Sequence, residues 1–209
     1  MRLDVPLEKL ELIAGADISY DKSTNKLYAG VLIFTYPQLE LVECSQAIAD
    51  ATYPYIPGML TFREGPALLE AFAKLKSEPD LLIFDGQGIA HPRGMGLAAH
   101  MGIALDKPSI GCAKTRLVGE YAEPDQAAGS FSPLMYNGQT VGVVLRTRKQ
   151  VMPVFISCGH RMNLKQAIDI ILACCRGYRL PEPTRQAHLY VNEVRSQKSV
   201  AIKTPYSRI

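Results

Sequence analysis

One short stretch of the chain is apolar at every position and ends abruptly in a charged turn. Residues Leu81 to Phe84 read Leu-Leu-Ile-Phe, and Asp85-Gly86 follow directly. A strand without polar alternation is buried on both faces, as in sheets that are covered by helices on each side. The chain is therefore expected to fold as an α/β protein around this central strand.

Three further strands are predicted ahead of it, from Leu10 to Tyr20, Lys26 to Tyr36 and Glu40 to Ala49. Because short turns separate these strands, they favour an antiparallel meander. Gly15 and Gly30 interrupt the first two strands, which indicates bulges or places where another element approaches closely.

Helical patterns alternate with the later strands. One helix is predicted to open at Thr61 and end near Lys76-Ser77, a second lies between Gly94 and Leu105, and a third runs from an Asn163 cap through Cys174. Thr61 stands three residues before Glu64, in the spacing of a capping box. The sequence Leu-Pro-Glu-Pro at residues 180–183 is expected to end the helical part.

The second half also contains predicted strands, from Pro108 to Cys112, Thr140 to Arg146 and Val151 to Ser157, the last two as a hairpin pair. Residues 120–137 are rich in Ala, Gly, Pro and Ser and are predicted to form an exposed excursion. The whole pattern favours a mixed β-sheet with helices on its faces, in one domain that spans residues 1–209. From about residue 195 we expect a flexible tail.

Composition narrows the class of protein without deciding its function. The 209 residues are 47% hydrophobic and 21% charged, as in an ordinary globular protein, and the formal net charge is +3. This mild basic excess permits nucleic-acid binding but falls short of a strongly basic signature. The C-terminal region is richer in Arg and Lys, and such a segment either faces phosphates or is simply solvated.

The cysteines and the N-terminus bear on location. The five cysteines include no CxxC pair, and an odd count argues against a disulfide framework. Residues 1–4 begin no apolar signal core, and no run approaches the roughly 18 apolar residues of a membrane span. We therefore expect a cytoplasmic protein that binds no membrane, and we expect a monomer.

Two carboxylates stand where predicted strands leave the core. Asp17 follows an apolar stretch of the first strand, and Asp85 follows the central one. If these strands are neighbours, the two like charges converge and must share a proton or bind a cation, for which Mg²⁺ is the natural oxygen-loving choice. The alternative is that each Asp merely begins a turn.

Three other polar residues are candidates with equally ordinary alternatives. Glu64 is a possible third carboxylate, although a Glu at a helix start also serves as a cap. His188 fits a ligand, a general acid or a plain polar residue at a helix start. Lys114 follows a predicted strand and would point toward the end of the sheet or into solvent.

A stiff loop and a glycine-rich turn complete the set. Residues 53–58 read Tyr-Pro-Tyr-Ile-Pro-Gly, in which proline restricts the backbone around two aromatic side chains. Such a loop suits stacking on a base or wedging into a duplex, and it equally suits ordinary packing. Residues 85–93 combine a carboxylate, two glycines, His91 and an arginine, and the glycines would let the backbone approach a ligand.

Taken together, these motifs resemble the endonuclease V family in nearly every part and in the family's order, over about residues 12–192. The motifs are Gly15-Ala16-Asp17, Pro54-Tyr55-Ile56-Pro57-Gly58, Phe62-Arg63-Glu64, Asp85-Gly86-Gln87-Gly88 with His91-Pro92-Arg93, Lys114, Gly159-His160-Arg161 and Pro181-Glu182-Pro183-Thr184-Arg185. The resemblance implies a ribonuclease H-like fold. It also implies an enzyme that recognises hypoxanthine, the deamination product of adenine, and hydrolyses the second phosphodiester bond on its 3′ side.

The resemblance further implies a role for each candidate side chain. Asp17 and Asp85 would hold Mg²⁺, with Mn²⁺ as a substitute. His188 would support the metal directly or through water, and the water-mediated role is favoured because Mg²⁺ prefers oxygen ligands. Many family members have Asp where His188 stands, which is a departure at the metal shell. Glu64 would order the metal or the attacking water, and Lys114 would offset charge on the phosphoryl oxygens.

The same resemblance places the substrate. The loop with Tyr55 and Pro57 would part the strands. Gly58, Leu60 and Gly86 would line a pocket for the flipped base, with His91 beside it. The expected partner is DNA that contains deoxyinosine, or inosine-containing RNA, since the motifs do not separate an inosine-specific endoribonuclease from a DNA repair enzyme. A general nuclease or resolvase of the same fold and a non-catalytic nucleic-acid-binding module are the other readings.

Overall fold

A computed structural model describes residues 1–3, 7–56 and 58–196, and within them the chain forms eight β-strands and four α-helices. The strands are β1 Leu12–Asp21, β2 Lys26–Thr35, β3 Leu41–Asp50, β4 Leu81–Phe84, β5 Ser109–Ala113, β6 Phe131–Tyr136, β7 Gln139–Leu145 and β8 Val154–Cys158. The helices are α1 Leu60–Ala73, α2 Leu97–Ala104, α3 Leu164–Ala173 and α4 Glu182–Ser196.

All eight strands belong to one mixed sheet in the order β3-β2-β1-β4-β5-β8-β7-β6. The first three strands form the predicted antiparallel meander, while β1, β4 and β5 are parallel neighbours at the centre. The predicted hairpin pair is β7 with β8, joined antiparallel with Val143 opposite Ile156. The mixed α/β sheet predicted from the sequence is therefore confirmed.

Helices cover both faces of the sheet, as expected. Adjacent residues of β1 point to opposite sides: Ala14 packs in the cluster that contains Leu68 of α1, and Ile13 packs in the cluster that contains Ile171 of α3. The four residues of β4 are fully buried between these two layers. The apolar run thus marks the centre of the sheet.

Helix α4 lies directly against β1 and β2, and two glycines make room for it. A Cβ atom added at Gly15 would lie 2.1 Å from the Pro183 carbonyl oxygen, and one at Gly30 would lie 2.6 Å from Cγ1 of Val191. Of the two readings for these glycines, close approach is the correct one. A side chain at either position would push the helix off the sheet.

The sequence did not predict α4, because residues 180–183 look like a helix stop. In the structure the same residues begin a helix, with Glu182 in its first turn. Proline is tolerated in the first turn, where its missing N–H has no partner to lose. The predicted flexible tail begins within the last turn of α4 and otherwise lies outside the described residues.

Two local predictions are wrong. The excursion at residues 120–137 contains β6, an edge strand whose alternating exposure and Pro133 disguise it as a loop. The capping box at Thr61 is absent, because α1 begins at Leu60 after Met59 and has no side-chain cap. By contrast, Asn163 caps α3 as predicted, accepting a hydrogen bond of 2.8 Å from the N–H of Gln166.

The cysteines are thiols and not disulfides, as the odd count suggested. Among the helices of the described ranges, none has both the length and the apolar character that crossing a bilayer requires.

Candidate active site

Asp17 and Asp85 lie side by side at the centre of the sheet. The parallel register pairs Ala16 of β1 with Phe84 of β4, so each aspartate is the next residue along its strand. The N–H of Asp85 donates to the carbonyl oxygen of Ala16 at 3.4 Å. The two strands are thus neighbours, as the carboxylate argument required.

Lys114 reaches this pair from the third parallel strand. It follows Ala113, the last residue of β5, and its Nζ forms an ion pair with Oδ2 of Asp85. Because the carboxyl ends of parallel strands meet at one edge, residues from β1, β4 and β5 converge here. The lysine points toward the carboxylates and not into solvent.

His188 comes from α4, which the close packing at Gly15 holds against β1. Its Nδ1 lies 2.7 Å from Oδ2 of Asp17. One possible ligand atom from each of Asp17, Asp85 and His188 lies within 4.8 Å of the others. Three residues from distant parts of the chain therefore bring their possible ligand atoms close enough together to share one metal ion.

The charges of the same cluster act on Glu64. Burial and then the charge of Asp17 are the main causes that raise the pKa of Glu64 to about 8, with a smaller contribution from Asp85, while Arg63 lowers it. The carboxyl group is therefore within electrostatic reach of both aspartates, and α1 has no side-chain cap.

The surroundings of Asp17 disfavour its charged form. Burial and the nearby Asp85 raise the pKa of Asp17, although His188, the Ile18 N–H and Lys114 oppose this. A carboxyl group with a raised pKa beside a second carboxylate is the electrostatic condition that a bound cation relieves. Oxygen donors of this kind fit a hard divalent ion such as Mg²⁺.

A pocket of about 400 Å³ opens beside the carboxylates. It brings together the predicted pocket residues Tyr55, Gly58, Leu60, Gly86 and His91. Asp85 and Lys114 line the same pocket. The base-pocket candidates and the acidic cluster therefore share a wall, while the predicted contact Pro57 lies outside the described residues.

The rim and the floor of the pocket differ in character. Tyr55 is 66% exposed at the rim, whereas His91 is only 6% exposed. Burial, and then the charge of Arg93, lower the pKa of His91, which favours the neutral imidazole. A Cβ atom at Gly58 would lie 3.6 Å from the His91 ring, so the glycine stands close over the imidazole.

Sequence reasoning missed several residues that shape this site. Arg93 donates from Nη1 to the Gly58 carbonyl at 3.2 Å and ties the loop to the turn after β4. Gln87 lines the pocket and donates from Nε2 to the Thr115 carbonyl at 3.0 Å. Both lie in the glycine-rich segment after Asp85, so the motif carried a signal for them.

His160, from the Gly159-His160-Arg161 motif, makes hydrogen bonds that connect parts of the fold. His160 accepts a hydrogen bond at Nδ1 from the N–H of Arg2 at 3.1 Å, and its Nε2 lies 3.3 Å from Oδ1 of Asp106. These contacts join the N-terminal residues to the turn that follows α2. The imidazole therefore bonds backbone and a surface carboxylate.

The sequence model of the family described as Endonuclease V matches residues 2–189 of the chain. The chain belongs to the endonuclease V family. Its relatives include "Endonuclease V" of Dehalococcoides mccartyi strain BAV1, 52% identical over 188 residues that cover 90% of this chain and 84% of the relative. "Endonuclease V" of Methanothrix thermoacetophila is 52% identical over 183 residues, with 88% and 81% covered.

Solved endonuclease V structures have the same fold. The Streptomyces avermitilis protein superposes with a TM-score of 0.89 at 36% identity, covering 93% of this chain and 86% of that one. The catalytic domain of human endonuclease V gives 0.84 at 34% identity, with 90% and 84% covered. The predicted ribonuclease H-like fold is confirmed.

A more distant structure shows the fold together with a nucleic acid. Ciona intestinalis endonuclease V, in complex with a 24mer DNA containing an inosine followed by a ribo-adenosine, has a TM-score of 0.82 at 24% identity and covers 94% of this chain and 90% of that one. Membership of the endonuclease V family makes this chain a nuclease, and the family implies a divalent metal.

Proposed function

We propose that this endonuclease V family member cuts nucleic acid that contains hypoxanthine, in a divalent-metal-dependent reaction at the second phosphodiester bond 3′ to the base. The observation that carries this proposal is that Asp85 lines both the acidic cluster and the adjacent pocket. A strand whose base enters the pocket would therefore run its backbone past the carboxylates. The Ciona relative, crystallised with inosine-containing DNA, supports this substrate class.

Asp17 and Asp85 would hold the divalent ion, which is proposed to be Mg²⁺ with Mn²⁺ as a substitute. When bound, such an ion polarises the scissile phosphate and lowers the pKa of a coordinated water. Asp17 and Asp85 are well suited to this because their carboxylate oxygens are close together and only slightly exposed.

The remaining side chains act on the substrate and on water. Lys114, which is ion-paired to Asp85, places a positive charge where the phosphoryl oxygens gain negative charge. Glu64 directs a buried carboxyl group toward the same point and would orient the attacking water. His188 would assist through its hydrogen bond to Asp17 and not by direct ligation.

The pocket favours recognition through the base edge. Hypoxanthine carries a hydrogen on N1 and an oxygen at position 6, whereas adenine presents an acceptor and an amino group there. Backbone groups of Gly58 and Gly86 at the pocket wall can test that difference, because glycine leaves the backbone accessible. Exposed Tyr55 at the rim is placed to fill the gap that the flipped base leaves.

The test is a nicking assay on matched strands that differ only by inosine or adenosine at one position, as DNA and as RNA. We expect cutting of the inosine strand in Mg²⁺, none with a chelator, and none with Asp85→Asn although binding survives. Asp169→Asn, an exposed carboxylate on α3, is the matched control and should cut normally.

Each other result gives a different answer. Equal cutting of inosine and adenosine strands would replace the proposal with a general nuclease of the same fold. Cutting of RNA alone would make the chain an inosine-specific endoribonuclease. Tight binding without product in Mg²⁺ or Mn²⁺ would leave a nucleic-acid-binding module.

A further inference from the structure

The imidazole of His188 is held at both ring nitrogens. On one side, Nδ1 lies 2.7 Å from Oδ2 of Asp17. On the other side, Nε2 lies 3.1 Å from Nδ2 of Asn192, one helical turn further along α4. A ring with two neighbours of known polarity has its proton placed by them.

The polarity of Asn192 follows from its other two contacts. Its Nδ2 also donates to the backbone carbonyl oxygen of His188 at 2.8 Å, and a carbonyl oxygen only accepts. Its Oδ1 accepts from the hydroxyl of Ser19 at 3.1 Å. The side-chain amide is therefore oriented with its nitrogen toward the imidazole, independently of any assumption about the ring.

The ring must then accept at Nε2 and carry its hydrogen on Nδ1. An Nε2–H would face the amide N–H₂ of Asn192, donor against donor, whereas an Nδ1–H faces the carboxylate of Asp17. Ser19 lies in β1 two residues after Asp17 and is 7% exposed. The strand that carries the carboxylate thus also carries the group that fixes Asn192.

We propose that Asn192, held by Ser19, is a positioning residue that makes Nε2 of His188 an acceptor and directs its Nδ1–H to Asp17. In this state His188 donates to Asp17 and offers no free nitrogen to a metal. The part of the inference that concerns metal rests on the proposed function. The tautomer itself rests only on the contacts within the chain.

This arrangement bears on metal preference. With both nitrogens engaged, the cluster presents oxygen donors from Asp17 and Asp85, which suit Mg²⁺. A free imidazole nitrogen in the same place would favour Zn²⁺, which readily accepts nitrogen ligands. The Ser19–Asn192 pair would therefore bias the site against a competing metal.

The direct test is an NMR measurement of the ring nitrogens in the full, metal-free chain at neutral pH. Long-range ¹H–¹⁵N correlation spectra distinguish protonated from unprotonated nitrogens, and His188→Gln identifies the signals among the four histidines. We expect His188 with Nδ1 protonated and Nε2 unprotonated. A protonated Nε2 in the unmodified chain would overturn the proposal.

Variants separate positioning from a purely structural role. Asn192→Asp replaces the donor with an acceptor and should bring a proton to Nε2, and Ser19→Ala should give a mixture of tautomers while disturbing packing less. Asn163→Asp, at the cap of α3, is the control and should leave the His188 signals unchanged. Unchanged His188 signals in both test variants would contradict the assignment.

Calorimetry tests the consequence for metal. We expect Asn192→Leu to let the ring hydrogen move to Nε2 and so leave Nδ1 unprotonated beside Asp17; this should tighten Zn²⁺ binding by about ten-fold or more and change Mg²⁺ binding by less than about two-fold. Adding His188→Gln to Asn192→Leu should remove the gain. Equal Zn²⁺ affinity in all three proteins would refute the metal bias. The NMR spectra need neither metal nor substrate, so their result does not depend on whether the proposed nuclease activity is correct.

Discussion

Lys114 is ion-paired to Asp85 at the carboxyl ends of the neighbouring strands β5 and β4. One ammonium group thus meets a cluster that also contains Asp17 and Glu64, both with raised pKa values. Ionisation of these carboxyl groups is therefore unfavourable in the metal-free chain, because one ammonium group does not offset their burial and mutual repulsion. Three of the following predictions test what this charge, and the helix packed beside it, do to stability.

Mg²⁺ is expected to raise the melting temperature of the protein. An ion that binds only the folded chain stabilises it by about 2.7 kcal/mol when its free concentration is one hundred times Kd. Scanning calorimetry should show this shift in the unmodified chain and in Asp169→Asn. Asp85→Asn should lose it, and an equal shift in that variant would place the ion elsewhere.

Glu64 should make the metal-free chain less stable as the pH rises. Its carboxyl binds a proton more tightly in the folded chain, where the pKa is about 8, than in the unfolded chain, where it is near 4.5. The contribution of Glu64 to stability is therefore fully present below about pH 4.5 and is lost as the pH rises toward 8. Glu64→Gln should remove this dependence and be more stable at pH 8, by roughly a few kcal/mol.

The control for Glu64 is the exposed Glu70 of the same helix, whose substitution to Gln should not flatten the profile. Chemical denaturation with a chelator present, repeated between pH 5 and 8, measures the difference. Parallel profiles for the unmodified chain and Glu64→Gln would show that the buried carboxyl is not the group responsible.

Gly15→Ala should displace α4 and with it His188. The new Cβ would lie 2.1 Å from the backbone of Pro183, where no flexible side chain can yield. We expect a loss of roughly 2 kcal/mol or more in unfolding free energy and a large loss of cutting. Gly65→Ala is the control, because its Cβ meets Thr61 at an ordinary 3.4 Å and alanine favours a helix.

Arg146 should matter for stability although it has no role in the proposed chemistry. Its buried guanidinium donates to the carbonyls of Asp125, Pro124 and Val151 and forms an ion pair with Glu123 at 2.6 Å. Arg146→Ala leaves these acceptors without their donor, which is expected to cost about 2–4 kcal/mol.

The same measurement on Arg148→Ala, an exposed arginine two residues away, should give a change within about 0.5 kcal/mol. If the two substitutions cost the same, the burial of Arg146 does not anchor the segment before β6.

Tyr55→Ala should weaken cutting of inosine-containing duplex by about ten-fold or more, the value of one lost stacking contact. Single-stranded substrate should be affected less, because no base pair has to be opened. Tyr55→Phe keeps the ring and should behave like the unmodified protein. A similar loss on both substrates would argue that the tyrosine shapes the pocket and does not part the strands.

The centre of the fold was predictable because its signals are local. An apolar run ending in Asp85 gave the buried strand, and three short-spaced strands gave the meander. The neighbouring positions of Asp17 and Asp85 then depended on which strands pair. Strand pairing is a long-range property, so from the sequence we could say only that the two aspartates would converge if their strands were neighbours.

The errors arise where one residue type serves two purposes. Proline at positions 181 and 183 suits both the end and the first turn of a helix, so α4 was missed. Glu64 had the spacing of a cap but lies in the acidic cluster, since burial beside Asp17 depends on tertiary packing. Because α4 was not predicted, the four-residue spacing of His188 and Asn192 could not be recognised as one turn of a helix.

The packing of α4 on Gly15 and Gly30 also sets an order of events during synthesis. His188 is translated 103 residues after Asp85 and 171 after Asp17. A nascent or truncated chain that stops before residue 182 can contain the central strands and both aspartates but lacks the imidazole that bonds one of them. The site is whole only after α4 has been made and has packed on β1, so products that stop before α4 are expected to lack the contact between His188 and Asp17 and to cut poorly.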